Sequence, residues 1–168
     1  MALSISSSKV SSINFTLTET NGNESMSLSD AMSSSTAYSY GSGVNGITNA
    51  ASITGTISSG GSVQIDLYGI DQTTFGTTQS ISFTGVKNFT VNNTSTTEGY
   101  DFTIAATGSN ACTNLFNGGS GNLLVKPYSS FAYNDPYSGF VVSTSQRYVY
   151  LDDLGSGVSY KLIVLGLD

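Results

Sequence analysis

The spacing of apolar residues constrains this chain most. Through "FGTTQSISFTGVKNFTVNNTSTTEGYDFTI", Phe75 to Ile104, apolar and polar residues alternate almost without a break. A repeat of two places alternate side chains on opposite faces of an extended strand, whereas a helix repeats every 3.6 residues. Ile81 and Phe83 share one phase, Gly85 interrupts it, and Lys87, Phe89 and Val91 resume it. A lysine in that phase implies a bulge or bend at Gly85, or an aliphatic stem passing over a sheet edge. Phe102 and Ile104 follow after "NTSTTEG", a polar turn-like stretch, so the two strands read as a hairpin with a long loop.

The same period recurs elsewhere. Ile13, Phe15 and Leu17 share one face of "INFTLT", and Val63, Ile65 and Leu67 share one face of "SVQIDL". Further strands are expected at "NLLVKP" (122–127), "GFVVS" (139–143), "RYVYL" (147–151) and "VSYKLIVLGL" (158–167). Pro127 and Pro136 fall where strands end or turns begin, so neither removes a ladder donor. "NESMSLSDAMSSSTAY" (23–38) follows neither period cleanly and leaves room for one helical turn at most. Glycine-rich "SSGGS" (58–62) and "NGGSGN" (117–122) read as hairpin loops, since neither precedes a helix or carries a phosphate-loop lysine. Roughly eight to ten strands spaced about 8–12 residues apart fit a sandwich or barrel. The expected fold is all-β: a single-domain antiparallel β-sandwich, with the jelly roll among its topologies. Residues 1–12 are expected as an amino-terminal arm and 13–168 as the sandwich domain.

Composition narrows function. The 168 residues can bury roughly 70% of the surface the unfolded chain exposes, enough for a core without staples. Only 10% are charged, against about 25% in ordinary domains. The 38% hydrophobic content, with ten Tyr and eight Phe, sets the chain apart from disordered sequences. A net charge of -6, with Lys9, Lys87, Lys126, Arg147 and Lys161 scattered singly, argues against a nucleic-acid partner. The opening "MALSISSSKVSSINF" lacks a charged start followed by an apolar run, and no later run is long enough to cross a membrane as a helix, so neither a leader nor a membrane partner is expected.

Reactive constellations are sparse. With no histidine, the usual general base and commonest metal ligand are missing. Cys112 has no second cysteine to pair with and no histidine to activate it, so it reads as a small buried residue. Asp152 and Asp153, the one adjacent acidic pair, read first as a solvated turn, with a calcium or other metal role the lesser alternative. Asp66 and Asp71 could serve glycoside chemistry with a partner, but read first as a strand end and a turn. The Asn-X-Ser/Thr triplets at Asn14, Asn88 and Asn93 are of the number expected by chance in such a chain. No catalytic residue, cofactor or metal is expected. The aromatic loop "KPYSSFAYNDPYSGF", with Tyr128, Phe131, Tyr133 and Tyr137, admits three readings: rings packed over an open end of the core, a protein interface, or stacking on a sugar.

The order of segments resembles that of small virion β-domain proteins of tailed bacteriophages, of the capsid decoration or cement type. The likeness runs through "MALSIS…INFTL", "YSYGSGVNGITNAASITGTISSGGSVQIDL", the stretch from Phe75 to Phe116, the aromatic loop and the closing "GSGVSYKLIVLGLD". Where that family carries a "PGG" turn, this chain has "PYSS" at Pro127 to Ser130. The resemblance implies a non-enzymatic protein on the capsid surface that binds the major capsid protein as a homo-oligomer, a trimer. Interface residues would be Ile5 and Lys9 in an extended arm and Tyr128, Phe131, Tyr133 and Tyr137 in the loop. A tail-fibre or receptor-binding, glycan-binding β domain is the alternative.

Overall fold

From residue 49 onward the chain runs as one long hairpin whose two limbs are rolled into facing sheets. The computed structural model describes residues 6–21, 24–74, 77–119 and 121–168, with the side chains of 36–73, 78–119 and 121–168. Its strands are β1 (Ser6–Asn21), β2 (Glu24–Tyr40), β3 (Gly46–Ile47), β4 (Asn49–Ile57), β5 (Ser62–Asp66), β6 (Ile70–Thr74) and β7 (Thr77–Ile81). They continue with β8 (Gly85–Asn93), β9 (Phe102–Ala105), β10 (Asn122–Val125), β11 (Ser130–Asn134), β12 (Phe140–Val141), β13 (Tyr148–Asp153) and β14 (Val158–Leu167). A short 3-10 turn covers Thr113–Phe116.

Four antiparallel pairings are nested: β9 with β10, β8 with β11, β5 with β13 and β4 with β14. Successive pairs alternate between two sheets, ordered β11-β8-β14-β4 and β10-β9-β13-β5. That is the strand order of a jelly roll, so the expected antiparallel sandwich is present with this topology. One cluster joins the inner faces: Phe89, Val91, Leu162 and Val164 from the first sheet meet Phe102, Ile104, Val149 and Leu151 from the second, all fully buried. On β13 buried and half-buried residues alternate along the strand, the pattern of a sheet with one covered face.

Each departure from the sequence reading has a physical cause. β8 and β9 are not a hairpin: β8 pairs with β11, β12 and β14, and β9 with β10 and β13. The stretch 94–101 instead crosses from one sheet to the other, as 58–61 does between β4 and β5. Asn93 secures this crossing, its buried amide donating to the carbonyls of Tyr100 at 2.7 Å and Val125 at 3.1 Å. The aromatic loop contains a strand, β11. The stretch 23–38, with room for one helical turn at most by its sequence, instead contributes most of the long strand β2, Glu24–Tyr40.

The bulge anticipated near Gly85 lies two residues on. Leu165 faces Asn88 and Gly166 faces Val86, so Lys87 is the extra residue on β8. The displaced Lys87 is fully buried, and its Nζ donates to the Gly43 carbonyl at 2.8 Å. Backbones pass so closely there that a Cβ at Gly166 would collide with the Gly85 carbonyl oxygen. On the other flank, β6 and β7 pair with each other, and Gln72 Oε1 accepts the Ser52 N–H on the outer edge of β4 at 2.9 Å. This occupies a backbone donor that a second chain could otherwise pair with.

Candidate functional site

The amino-terminal ribbon and its root set this molecule apart from a bare jelly roll. β1 and β2 pair along their whole length, from Ser6 opposite Ser39 to Asn21 opposite Glu24. At about 3.4 Å per residue the ribbon is roughly 50 Å long. Directly opposed residues share a face, and the register sorts the sequence into two kinds of position. One face takes the positions of Ile13 and Met32, Phe15 and Asp30, Leu17 and Leu28, and Glu19 and Met26. The other takes Ser12 and Ser33, Asn14 and Ala31, Thr16 and Ser29, and Thr18 and Ser27. The backbone therefore collects six large apolar residue types, with Asp30 and Glu19, on one side and small, mostly polar ones on the other. The expected arm boundary at residue 12 falls inside β1.

The ribbon is fixed to the body at one end. Ser39 and Tyr40 run parallel to Gly46 and Ile47 of β3, and Tyr38 is buried with Ile47 and Leu165. The Tyr38 hydroxyl reaches the Lys87 carbonyl at 3.1 Å and Asn134 Oδ1. Asn134 in turn donates from Nδ2 to Thr36 Oγ1 at 3.0 Å. Burial, with Asp135 and Tyr133 nearby, pushes the Tyr38 phenol up to about 12, so it remains a hydrogen-bond donor at ordinary pH. Sequence reading did not anticipate this root. Its partners come from β2, β3, β8, β11 and β14, and the local signal was the out-of-place Lys87.

The expected interface residues separate. Tyr128 and Tyr137 are exposed, by 78% and 72%. Phe131 and Tyr133 are half-buried: Phe131 packs on Phe89 with ring centroids 6.4 Å apart, and Tyr133 meets the edge of Phe140 at 5.1 Å. One pair of rings in the loop thus packs against the core, and the other pair is exposed. Tyr128 adopts a φ of 59°, a left-handed conformation that costs a residue with a Cβ about 1 kcal/mol. Ile5 lies outside the described residues. Lys9 sits opposite Thr36 in the ribbon, and its side chain lies outside the described set.

Three of the four acidic candidates are engaged in structure. Asp66 holds Arg147 by two hydrogen bonds, from Nε at 2.8 Å and from Nη2, and Arg147 stacks over the rings of Tyr68 and Tyr148. Both Asp66 oxygens are thereby occupied, and Asp71 lies exposed on β6. Asp152 accepts Ser62 Oγ at 2.5 Å. Asp153 is not in a solvated turn: it is buried, and its Oδ2 accepts the backbone N–H groups of Gly60, Gly155 and Gly157 at 2.7, 2.8 and 3.1 Å. Burial by itself would raise its carboxyl, but these donors hold it below the ordinary value. The positive φ of Gly155 and Gly157 turns those N–H groups inward. Among the described residues no group of three or more acidic or cysteine side chains could hold a metal ion.

Cys112 is buried as expected, and burial pushes its thiol up to about 11. Native protein is therefore expected to resist a disulfide reagent at pH 8 and to react promptly in denaturant. Prompt labelling of the native state would mean that the core around Cys112 opens.

No family model matches the chain, and no curated protein matches it. Among solved structures, the chain is similar to the Yersinia pseudotuberculosis-derived mitogen, at 18% identity and a TM-score of 0.37, over 71% of this chain and 87% of that one.

Proposed function

We propose that this protein is a non-enzymatic virion structural protein of the capsid decoration type, which acts as a homo-oligomer, a trimer, and binds the assembled lattice of a major capsid protein. The observation that carries this reading is the ribbon. A two-stranded ribbon is marginal in water unless its apolar face is covered. The register gathers six large apolar residue types at positions on one face of the ribbon, and a stable interface needs such an apolar contribution from each partner. Such a surface serves assembly and performs no chemistry.

The rest of the molecule supports the same reading. In this two-sheet body Asp66, Asp152 and Asp153 are tied into structure, and net negative charge is harmless on the outer side of a DNA-filled shell. A protein that binds the assembled lattice better than its free subunits stabilises that lattice by mass action. The tail-fibre or receptor-binding alternative shares this body and differs in copy number.

The experiment is the molar ratio of this protein to the major shell protein in purified particles. Decoration predicts a ratio near one to one or a simple lattice fraction of it. A few copies per particle would move the protein to the tail, and its absence would overturn the virion reading. In solution, replacing Phe15, Leu17 and Leu28 together by serine is expected to leave a folded monomer, while the parent chain sediments as an oligomer. A parent chain that is monomeric and does not bind shells would reject the role assigned to the ribbon.

A further inference from the structure

We infer that the cleft beside Tyr128 is a saccharide-binding site for the ring of a neutral pyranose. This cleft, of about 470 Å³, opens between the 94–101 crossing and the 126–129 turn. Its walls carry Thr96, Glu98, Asp101, Lys126 and Tyr128. It lies at the far end of β8 from the ribbon root, roughly 25 Å away along a nine-residue strand. The inference therefore does not depend on the shell-binding reading.

Both walls are fixed before any ligand arrives. Asn93 Nδ2 donates to Tyr100 O on one side and Val125 O on the other, tying the crossing to the end of β10. The Tyr128 hydroxyl donates to the Thr96 carbonyl at 3.1 Å and holds the ring across the gap while 78% of the residue stays exposed. The turn beneath it is closed by Ser129, which donates from N and Oγ to the Lys126 carbonyl at 3.1 and 2.6 Å. A preorganised site saves the ordering cost that flexible loops incur on binding.

The charged side chains of the cleft are unengaged. Among the described residues Glu98, Asp101 and Lys126 make no side-chain hydrogen bond or ion pair, although all three line one small space. A fixed aromatic ring beside two free carboxylates and one ammonium selects among ligand classes. A phosphate-bearing ligand would meet two negative charges and one positive, and an apolar ligand would strip three charges of water. A cationic ligand would have to displace or tolerate Lys126. A pyranose suits every group: its C–H face lies on the tyrosine, its hydroxyls donate to Glu98 and Asp101, and its oxygens accept from Lys126.

The test is an NMR titration of the full chain with methyl glycosides of glucose, galactose, mannose, rhamnose and N-acetylglucosamine. At least one is expected to shift the amides of Gly99, Asp101 and Tyr128, with weak, fast-exchanging affinity. Tyr128→Ala and Asp101→Asn are each expected to weaken binding about tenfold. Tyr128→Phe, which keeps the ring and loses its tether to Thr96, should fall in between. Unchanged melting temperatures will show that the variants fold. No shift with any of the five sugars, or shifts that survive Tyr128→Ala unaltered, overturns the inference.

Discussion

Replacing Asp153 by alanine is expected to cost about 3–5 kcal/mol of folding stability at neutral pH, the scale of removing one partner from a buried charged contact. Three backbone N–H groups from two loops converge on Oδ2, and alanine leaves all of them without an acceptor. Urea unfolding of the full chain at pH 7 measures the loss, and a cost below about 1 kcal/mol would mean that water substitutes for the carboxylate. Acid supplies a second readout. The folded carboxyl of Asp153 titrates below its ordinary value, so its contribution is complete above the unfolded pKa and is lost as pH falls through the folded one. Asp135 behaves alike, held down by the Tyr137 N–H, Ser138 and the Gly139 N–H. Stability should decline below about pH 4, and more shallowly in Asp153→Asn.

Tyr38→Ala is expected to detach the ribbon from the body, at a cost of about 3–5 kcal/mol to that docking, the range for truncating a buried aromatic side chain. The substitution empties the small cluster with Ile47 and Leu165 and removes the hydroxyl that joins β8 to β11. This cluster is separate from the core between the sheets, so the jelly roll should unfold as before while residues 36–47 become sensitive to protease. Tyr38→Phe should cost only about 1 kcal/mol. Because the native phenol titrates near 12, the unfolded chain loses its proton first, and stability should begin to fall above about pH 10. A variant whose 36–47 segment stays as resistant as the parent would show that β3 pairing alone holds the ribbon.

The strands of the body were legible because one sheet face is buried and the pleat has a period of two: Phe89, Val91, Phe102 and Ile104 all face the core as their spacing requires. β14 spans the same ten residues that the pattern marked, Val158 to Leu167. Pairing was less legible. Adjacent strands in sequence usually pair, and β8 and β9 do not, since the roll sends these two to opposite sheets. β2 was hidden by Asp30, which interrupts an otherwise regular Met26, Leu28, Met32 series and which the register sets opposite Phe15. Asp153 was misjudged because two carboxylates before glycines look like a hydrated turn, and only the approach of Gly60 from the β4–β5 connection buries one of them. Lys87 was the most informative anomaly, because its phase announced the bulge that carries it under the ribbon root.

The nesting of the strand pairs also sets an order of assembly. Pairing β9 with β10 closes a short loop, whereas pairing β4 with β14 closes one of roughly a hundred residues. β14 leaves the ribosome after every strand it joins, yet it occupies the middle of its sheet, between β4 and β8. The first sheet therefore stays split into two halves until β14 is available, and the ribbon, which precedes the body strands in the chain, waits longest for the Leu165 side of its root. Folding of the body is expected to be slow, in the millisecond-to-second range of chains dominated by distant contacts.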